Sequence, residues 1–333
     1  MCGCSFLLIL CLINVLMTME ELTVLNNGRL SIAVSAHGAE LCSLKMGQKE
    51  YLWQADPTYW KRHSPVLFPI VGSVWENRYR VDGKEFQMSQ HGFARDMEFS
   101  LVSQSDDEVW FTLQHSAATL EKYPFPFRLD IGYRLEGSAV KVMWRVTNDS
   151  LDKQDLSLPF QIGAHPAFYF PDYATEPSRR GFFSFGKEKQ LHYILIAEKG
   201  CVDAETLYTL PIDAEGMLPL DVHTFDHDAL ILEDNQVSEV TLHDVHRSPV
   251  LRLRFPSAPL VGLWSPPGKN APFVCIEPWY GRCDRAGFEG DFKEKDWMQL
   301  LSPGETFEGG YWIDVLELPQ PTNREVQGKE PGL

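Results

Sequence analysis

Basic residues are in short supply in this chain. Lys and Arg together number 30 against 46 Asp and Glu, which leaves a formal charge of −16. No basic stripe and no interleaving of cations with aromatics offsets that balance. A surface of this sign repels a phosphate backbone, which argues against a nucleic-acid partner. Paired cysteines are lacking too. Of the seven cysteines, Cys2, Cys4, Cys11, Cys42, Cys201, Cys275 and Cys283, none forms a CxxC pair, and three fall in the first eleven residues. That pattern suits neither a disulfide framework nor a structural zinc site, and reduced thiols point to the cytoplasm. Long apolar runs are also missing. The longest, Phe6 to Leu16, is shorter than the roughly 20 residues a membrane helix needs. No charge precedes Glu20, so the basic start of a secretory signal is absent. Residues 1–18 therefore read as an apolar extension outside the fold, or as an atypical signal that would export the protein, with Met19 as an alternative start. No membrane partner is expected for the folded domain.

Helical periodicity is equally scarce, with "SAATLEKY" as one brief candidate. What the chain has instead is strands. Apolar residues make up 44% and aromatics 12%, ample for a sizeable core. "GRLSIAV", "GAELCSLK", "EVWFTLQ", "FRLDIGYRL", "AVKVMWRVTN", "EVTLHD", "VLRLRF", "LVGLWSP" and "FVCIEPW" are short segments, many alternating with a period of two. "EGS" between two of them marks a hairpin. With 24 Gly and 22 Pro as punctuation, the pattern predicts an all-β sandwich or barrel. No composition shift divides it, so residues 19–318 read as one domain. The tail 319–333, "PQPTNREVQGKEPGL", reads as disordered.

Three segments break the pattern with polar groups that strand packing does not require. Residues 64–96, "SPVLFPIVGSVWENRYRVDGKEFQMSQHGFARD", carry Asn77, Arg78, Gln90, His91 and Arg95. Residues 161–171, "QIGAHPAFYFP", set His165 among aromatics. Residues 273–284, "FVCIEPWYGRCD", put Glu277 at the end of an apolar strand beside Trp279. A carboxylate against an indole in a partly dry site has a raised pKa, which suits general acid/base work. Each group also has a plainer reading. His165 as a hydrogen-bonded core residue, Arg78 and Arg95 as surface arginines, His91 as a turn residue and Glu277 in a salt bridge with Arg282 all fit the sequence. Spacing cannot choose, because these groups meet only through the fold.

Together the three segments resemble the aldose 1-epimerase (galactose mutarotase-like) family, within it the LacX-like epimerase-related proteins. The resemblance spans nearly the whole body, with the segments in the expected order. It implies a single-domain, large β-sandwich, the galactose mutarotase-like supersandwich, with a sugar site on a concave sheet face. It implies His165 as general acid and Glu277 as general base, and His91 as a second histidine that binds the sugar. It also suggests Arg78, in "ENRY", although Ser73 stands where the mutarotases have a first arginine. Asp228, with Asp226 as its rival, is the candidate substrate-binding aspartate. Arg62, Gln90 and Arg95 resemble residues around the substrate in the sugar-phosphate mutarotase branch.

The reaction so implied is the interconversion of α and β anomers of a hexose. A base takes the C1 hydroxyl proton, an acid protonates the ring oxygen, and the opened sugar recloses on its other face. No cofactor or metal is required, and the partner is a small sugar or sugar phosphate. A carboxylate pKa near ~5–6 and an imidazole near ~7 would give a window for both charge states. The competing readings are a hexose-6-phosphate mutarotase, a non-catalytic carbohydrate-binding protein of the same fold, and an iron oxygenase built on His91, His165 and Glu277.

Overall fold

Burial alternates along the strands that the sequence marks. Leu30, Ile32 and Val34 are buried while Ser31 and Ala33 are half-exposed, as one-sided packing of a strand demands. The "EGS" signal becomes a two-residue turn, Gly137 and Ser138, joining Phe127–Glu136 to Ala139–Asn148 in antiparallel register. Gly137 takes a φ of 64°, the conformation such tight hairpins require. The brief helical signal becomes Ala117–Lys122, whose Ser116 and Thr119 form a reciprocal capping pair. The computed structural model describes residues 22–151, 156–171, 173, 179–188 and 190–316. The expected extension, 1–18, and the expected tail, 319–333, lie outside the described residues.

Two large sheets form the sandwich, confirming an all-β, single-domain architecture. One has nine strands, with Ala139–Asn148 and Thr306–Val315 near its middle. The other has eight, running from Cys201–Thr209 through His192–Glu198, Leu230–Leu232, Leu260–Trp264, Phe273–Tyr280 and Ile162–Ala164 to Val66–Leu67. Ala167–Tyr169 pairs with Phe273–Tyr280 as its eighth strand. The main core fills the space between them. Val140, Val142, Trp144 and Ile313 from the first sheet meet Val261, Leu263, Val274 and Ile276 from the second. Trp144 sits 6.2 Å from Tyr280 across that space, and Phe68 5.1 Å from Phe127. Burying each such side chain contributes about 1.5–3 kcal/mol.

The eight-stranded sheet has a second, outer face, and it too is largely covered. Along Phe273–Tyr280 every residue is buried. Val274, Ile276 and Tyr280 belong to the main core, whereas Phe273, Cys275 and Trp279 join two smaller clusters. By the same alternation Glu277 shares the face of Cys275 and Trp279. It therefore points away from the main core, toward a recess roofed by residues from several loops. Among the described residues no helix is long and apolar enough to cross a membrane.

Candidate active site

A recess of about 310 Å³ opens on that outer face. It is lined by Gln90, His91, Arg95, His165, Asp228 and Glu277, with indoles and aliphatic side chains between them. Four segments distant in sequence thus contribute polar groups to one hollow. His165 follows Ile162–Ala164, held by its backbone N–H donating to the Pro65 carbonyl at 3.1 Å. Glu277 lies on the neighbouring strand. Their side chains converge, with His165 Nε2 3.4 Å from Glu277 Oε2. Only 7% of His165 and 1% of Glu277 remain exposed. Neither His165 Nδ1 nor Glu277 Oε2 has a hydrogen-bond partner among the described residues. Buried polar atoms left open in this way are costly, and both belong to residues that line the recess.

Burial governs the protonation of this pair. It pushes the Glu277 carboxyl well above the usual range; the negative charge of Asp228 adds to the effect and the Trp279 indole opposes it. It pulls His165 down to about 3, helped by the nearby Arg95 guanidinium. The raised carboxyl agrees in direction with the sequence reading, but the imidazole near 7 does not. With the carboxyl raised and the imidazole lowered, a single proton shared by the pair favours Glu277.

His91 is clasped by Gly72. Its backbone N–H donates to the Gly72 carbonyl at 2.7 Å, while the Gly72 N–H donates to His91 Nδ1 at 3.0 Å. Nδ1 is thereby an acceptor, so the ring proton sits on Nε2 as a donor. Burial, with His165 and Arg95 nearby, keeps this ring neutral. Its centroid is 5.7 Å from that of His165, edge to face. His91 and Asp228 both adopt left-handed backbone, φ 65° and 72°, a conformation that is costly for such residues and often retained at functional sites. The adjacent Gly92 is also left-handed, and a Cβ there would fall 2.2 Å from the Phe68 carbonyl oxygen. Only glycine fits the turn that presents His91.

Arg95 lines the recess with its guanidinium mostly buried, donating from Nη2 to the Gln90 carbonyl at 2.8 Å. Its Nε is buried without a hydrogen-bond partner and lies 3.9 Å from the Asp96 carboxylate, and burial lowers its pKa to about 10. Arg62 stands behind this wall, paired through Nη2 to Asp96 at 2.7 Å. It does not line the recess, although its charge reaches both histidines. Arg78 is not brought to the recess. Its half-exposed side chain pairs with Glu76 and, at 3.5 Å, with Glu85. Asp226 likewise stays outside, bonded to His223 at 2.9 Å. Arg282 does not pair with Glu277 either. It is bound to Glu233 at 2.5 Å and Asp296 at 2.8 Å.

Sequence reasoning missed two tryptophans. Trp60 stacks on His165 with centroids 4.7 Å apart, and Trp264 meets the same ring edge-on at 5.3 Å. Trp60 sits in "TYWKR", where no periodicity marks it. Of the aromatics in the two segments that carry His165 and Glu277, Trp279 lines the recess. Phe168 belongs to the main core, and Tyr169 packs on Trp53 at 5.4 Å. The proposed iron triad does not assemble. The described residues that gather three ligand atoms within 4.8 Å are Glu40–Cys42–His63 and His165–Cys275–Glu277, and His91 joins neither. A second recess, about 370 Å³ on the nine-stranded sheet, lies among Trp110, Lys141, Arg145 and Trp312. Its Arg145 is paired with Glu308 at 3.1 Å, and it brings together no comparable acid and base.

Comparison with known proteins agrees with this architecture. The family model described as aldose 1-epimerase matches residues 21–314. Protein LacX (chromosomal) of Lactococcus lactis subsp. lactis is 32% identical over 306 residues, covering 88% of this chain and 98% of LacX. The crystal structure of a galactose mutarotase related enzyme from Lactobacillus acidophilus superposes with a TM-score of 0.82 at 30% identity, over 89% of this chain and 98% of that one. A galactose mutarotase-like protein from Lactobacillus casei gives a TM-score of 0.82 at 31% identity, over 89% and 100%. These relationships support a mutarotase-type function. With the match running through almost the entire described body, the chain belongs to the aldose 1-epimerase family.

Proposed function

We propose that the protein interconverts the α and β anomers of a free hexose, with Glu277 and His165 passing protons to and from the hemiacetal. The observation that carries this reading is the convergence of two buried side chains, 3.4 Å apart, in one recess, a spacing suited to two oxygens borne by one carbon. Burial favours the proton on Glu277 before the sugar binds. Moving it to His165 gives the ionised base and charged acid without exchange with solvent, and polar sugar hydroxyls filling the recess favour that form. Glu277 then accepts the C1 hydroxyl proton while His165 protonates the ring oxygen. Closure runs the same transfers backward after the aldehyde has turned. His91 Nε2–H, Arg95, Gln90 and Asp228 bind the hydroxyls and the open-chain oxygen. Trp279 offers an apolar surface to the sugar's C–H face.

Polarimetry of freshly dissolved α-anomers tests the proposal. Glu277→Gln and His165→Ala are each expected to lose about 10²–10⁴-fold in kcat, with sugar binding retained by Glu277→Gln. Undiminished turnover in either variant would sink the assignment, and absence of turnover in the wild type would favour a carbohydrate-binding protein. Two guanidinium groups on one wall, Arg95 lining the recess and Arg62 behind it, favour a second reading in which the sugar carries a phosphate. Faster turnover of glucose 6-phosphate than of glucose would establish it.

A further inference from the structure

Cys275 precedes Glu277 by two residues on one strand, so their side chains share a face. One ligand atom each from His165, Cys275 and Glu277 lies within 4.8 Å of the other two, and all three residues are buried. The 3.4 Å between His165 Nε2 and Glu277 Oε2 matches tetrahedral zinc, whose bonds of about 2.0–2.3 Å hold neighbouring ligand atoms roughly 3.3–3.6 Å apart. An independent feature also points to a ligand. Glu277 Oε2 is fully buried, lacks a partner and belongs to a residue lining the recess. The recess is lined by His165 and Glu277, with Cys275 behind them, and gives the entry path. Charge balances as well: binding displaces one proton each from Glu277 and Cys275 to solvent, the resulting carboxylate and thiolate cancel a divalent cation, and imidazole adds nothing. The complex is neutral where an isolated ion would be heavily penalised. Thiolate with imidazole selects zinc-like cations over magnesium or calcium.

The geometry points to a binding site for a thiophilic divalent cation, Zn²⁺ or Cd²⁺, made by His165, Cys275 and Glu277, whose occupation halts proton transfer. The inhibition rests on the function proposed above; the metal site itself does not.

Cadmium is the probe, because a thiolate ligand gives it an ultraviolet charge-transfer band. The full chain, stripped with chelator, is titrated with Cd²⁺ as wild type, Cys275→Ser and Cys275→Ala, each checked by circular dichroism for folding. The other six thiols are common to all three, so the difference reads Cys275 alone. The expected result is one equivalent of thiolate band present only in the wild type. Mutarotation by the wild type stops with Cd²⁺ or Zn²⁺ and returns with chelator. Both cysteine variants keep the basal rate and need at least the ~10–100-fold more metal that losing even an outer-shell partner costs. Identical bands in all three proteins, or equal metal sensitivity, would overturn the site. Should the cysteine variants misfold, Glu277→Gln replaces them, since an amide lacks the required charge. Its Cd²⁺ affinity should fall at least tenfold, and unchanged affinity overturns the proposal. A protein that turns over no sugar still yields the band difference, so the two readings fail separately.

Discussion

At the scale of single residues, the chemistry depends on where one proton rests. The sequence shows a histidine among aromatics and a glutamate beside an indole, and from that it suggests two groups titrating near neutrality. Burial separates them much further, His165 falling to about 3 and Glu277 rising. The proposed catalytic pair is therefore expected to keep a single proton across a wide range. Raising the pH through the elevated Glu277 value removes that proton, so kcat/KM falls on the alkaline side, while the acid limb lies near 3. Because the Asp228 charge helps raise Glu277, Asp228→Asn should shift the alkaline limb to lower pH, whatever it does to the maximum. Profiles of kcat/KM against pH for both proteins measure this. A limb that stays put or moves upward would refute the electrostatic account. Which residues carry charge was legible from the sequence. How dry their surroundings are was not, because that depends on Trp60 and Trp264, which arrive from unrelated segments.

At the scale of elements, the strand Phe273–Tyr280 organises the site by alternation. It sends Tyr280 inward and Glu277 and Trp279 outward. The Trp279 indole lies over neighbouring strands where Gly163 and Gly262 leave room. A Cβ at Gly163 would come within 2.5 Å of the indole, and one at Gly262 within 2.4 Å. Gly262→Ala is therefore predicted to push Trp279 off its seat, destabilising the protein by about 1–3 kcal/mol and lowering kcat with it. Urea denaturation and polarimetry on one preparation check both effects, and a neutral substitution would show that the indole has room to spare. The strands themselves were readable: "EVWFTLQ" is the strand Glu108–Gln114 to the residue. The same rule explains why Phe168 misses the recess, since it alternates with Ala167 and Tyr169 and faces the main core. Arg78 misses it because its hairpin, Arg78–Val81 with Lys84–Gln87, holds it beside Glu76 and Glu85.

At the scale of the whole molecule, keeping histidines neutral in the interior ties stability to pH. Burial depresses His91, His165 and His243 alike. Below a pH of about 6.5 the unfolded chain binds protons that the folded one refuses, so stability is full above that value and is lost as the pH falls toward about 3. Glu277 has the opposite sign: its raised value costs stability as the pH rises through it. The protein should be most stable near neutrality, and acidification to about pH 5 should remove on the order of 1 kcal/mol or more through the histidines. Urea unfolding at the two pH values, repeated with His243→Asn, measures the effect. The variant should show a shallower acid dependence, and stability rising on acidification would contradict the burial argument.

The class of fold could be read from local pattern, because a period of two in apolar residues and a scarcity of helical pattern are local properties. The types of residue that the proposed chemistry needs were visible there too. Which of them meet depends on folding. His165, His91, Asp228 and Glu277 come together because strands distant along the chain become neighbours in one sheet. Desolvation, which sets their protonation, depends on every group that closes over them, and no single segment of sequence contains that information.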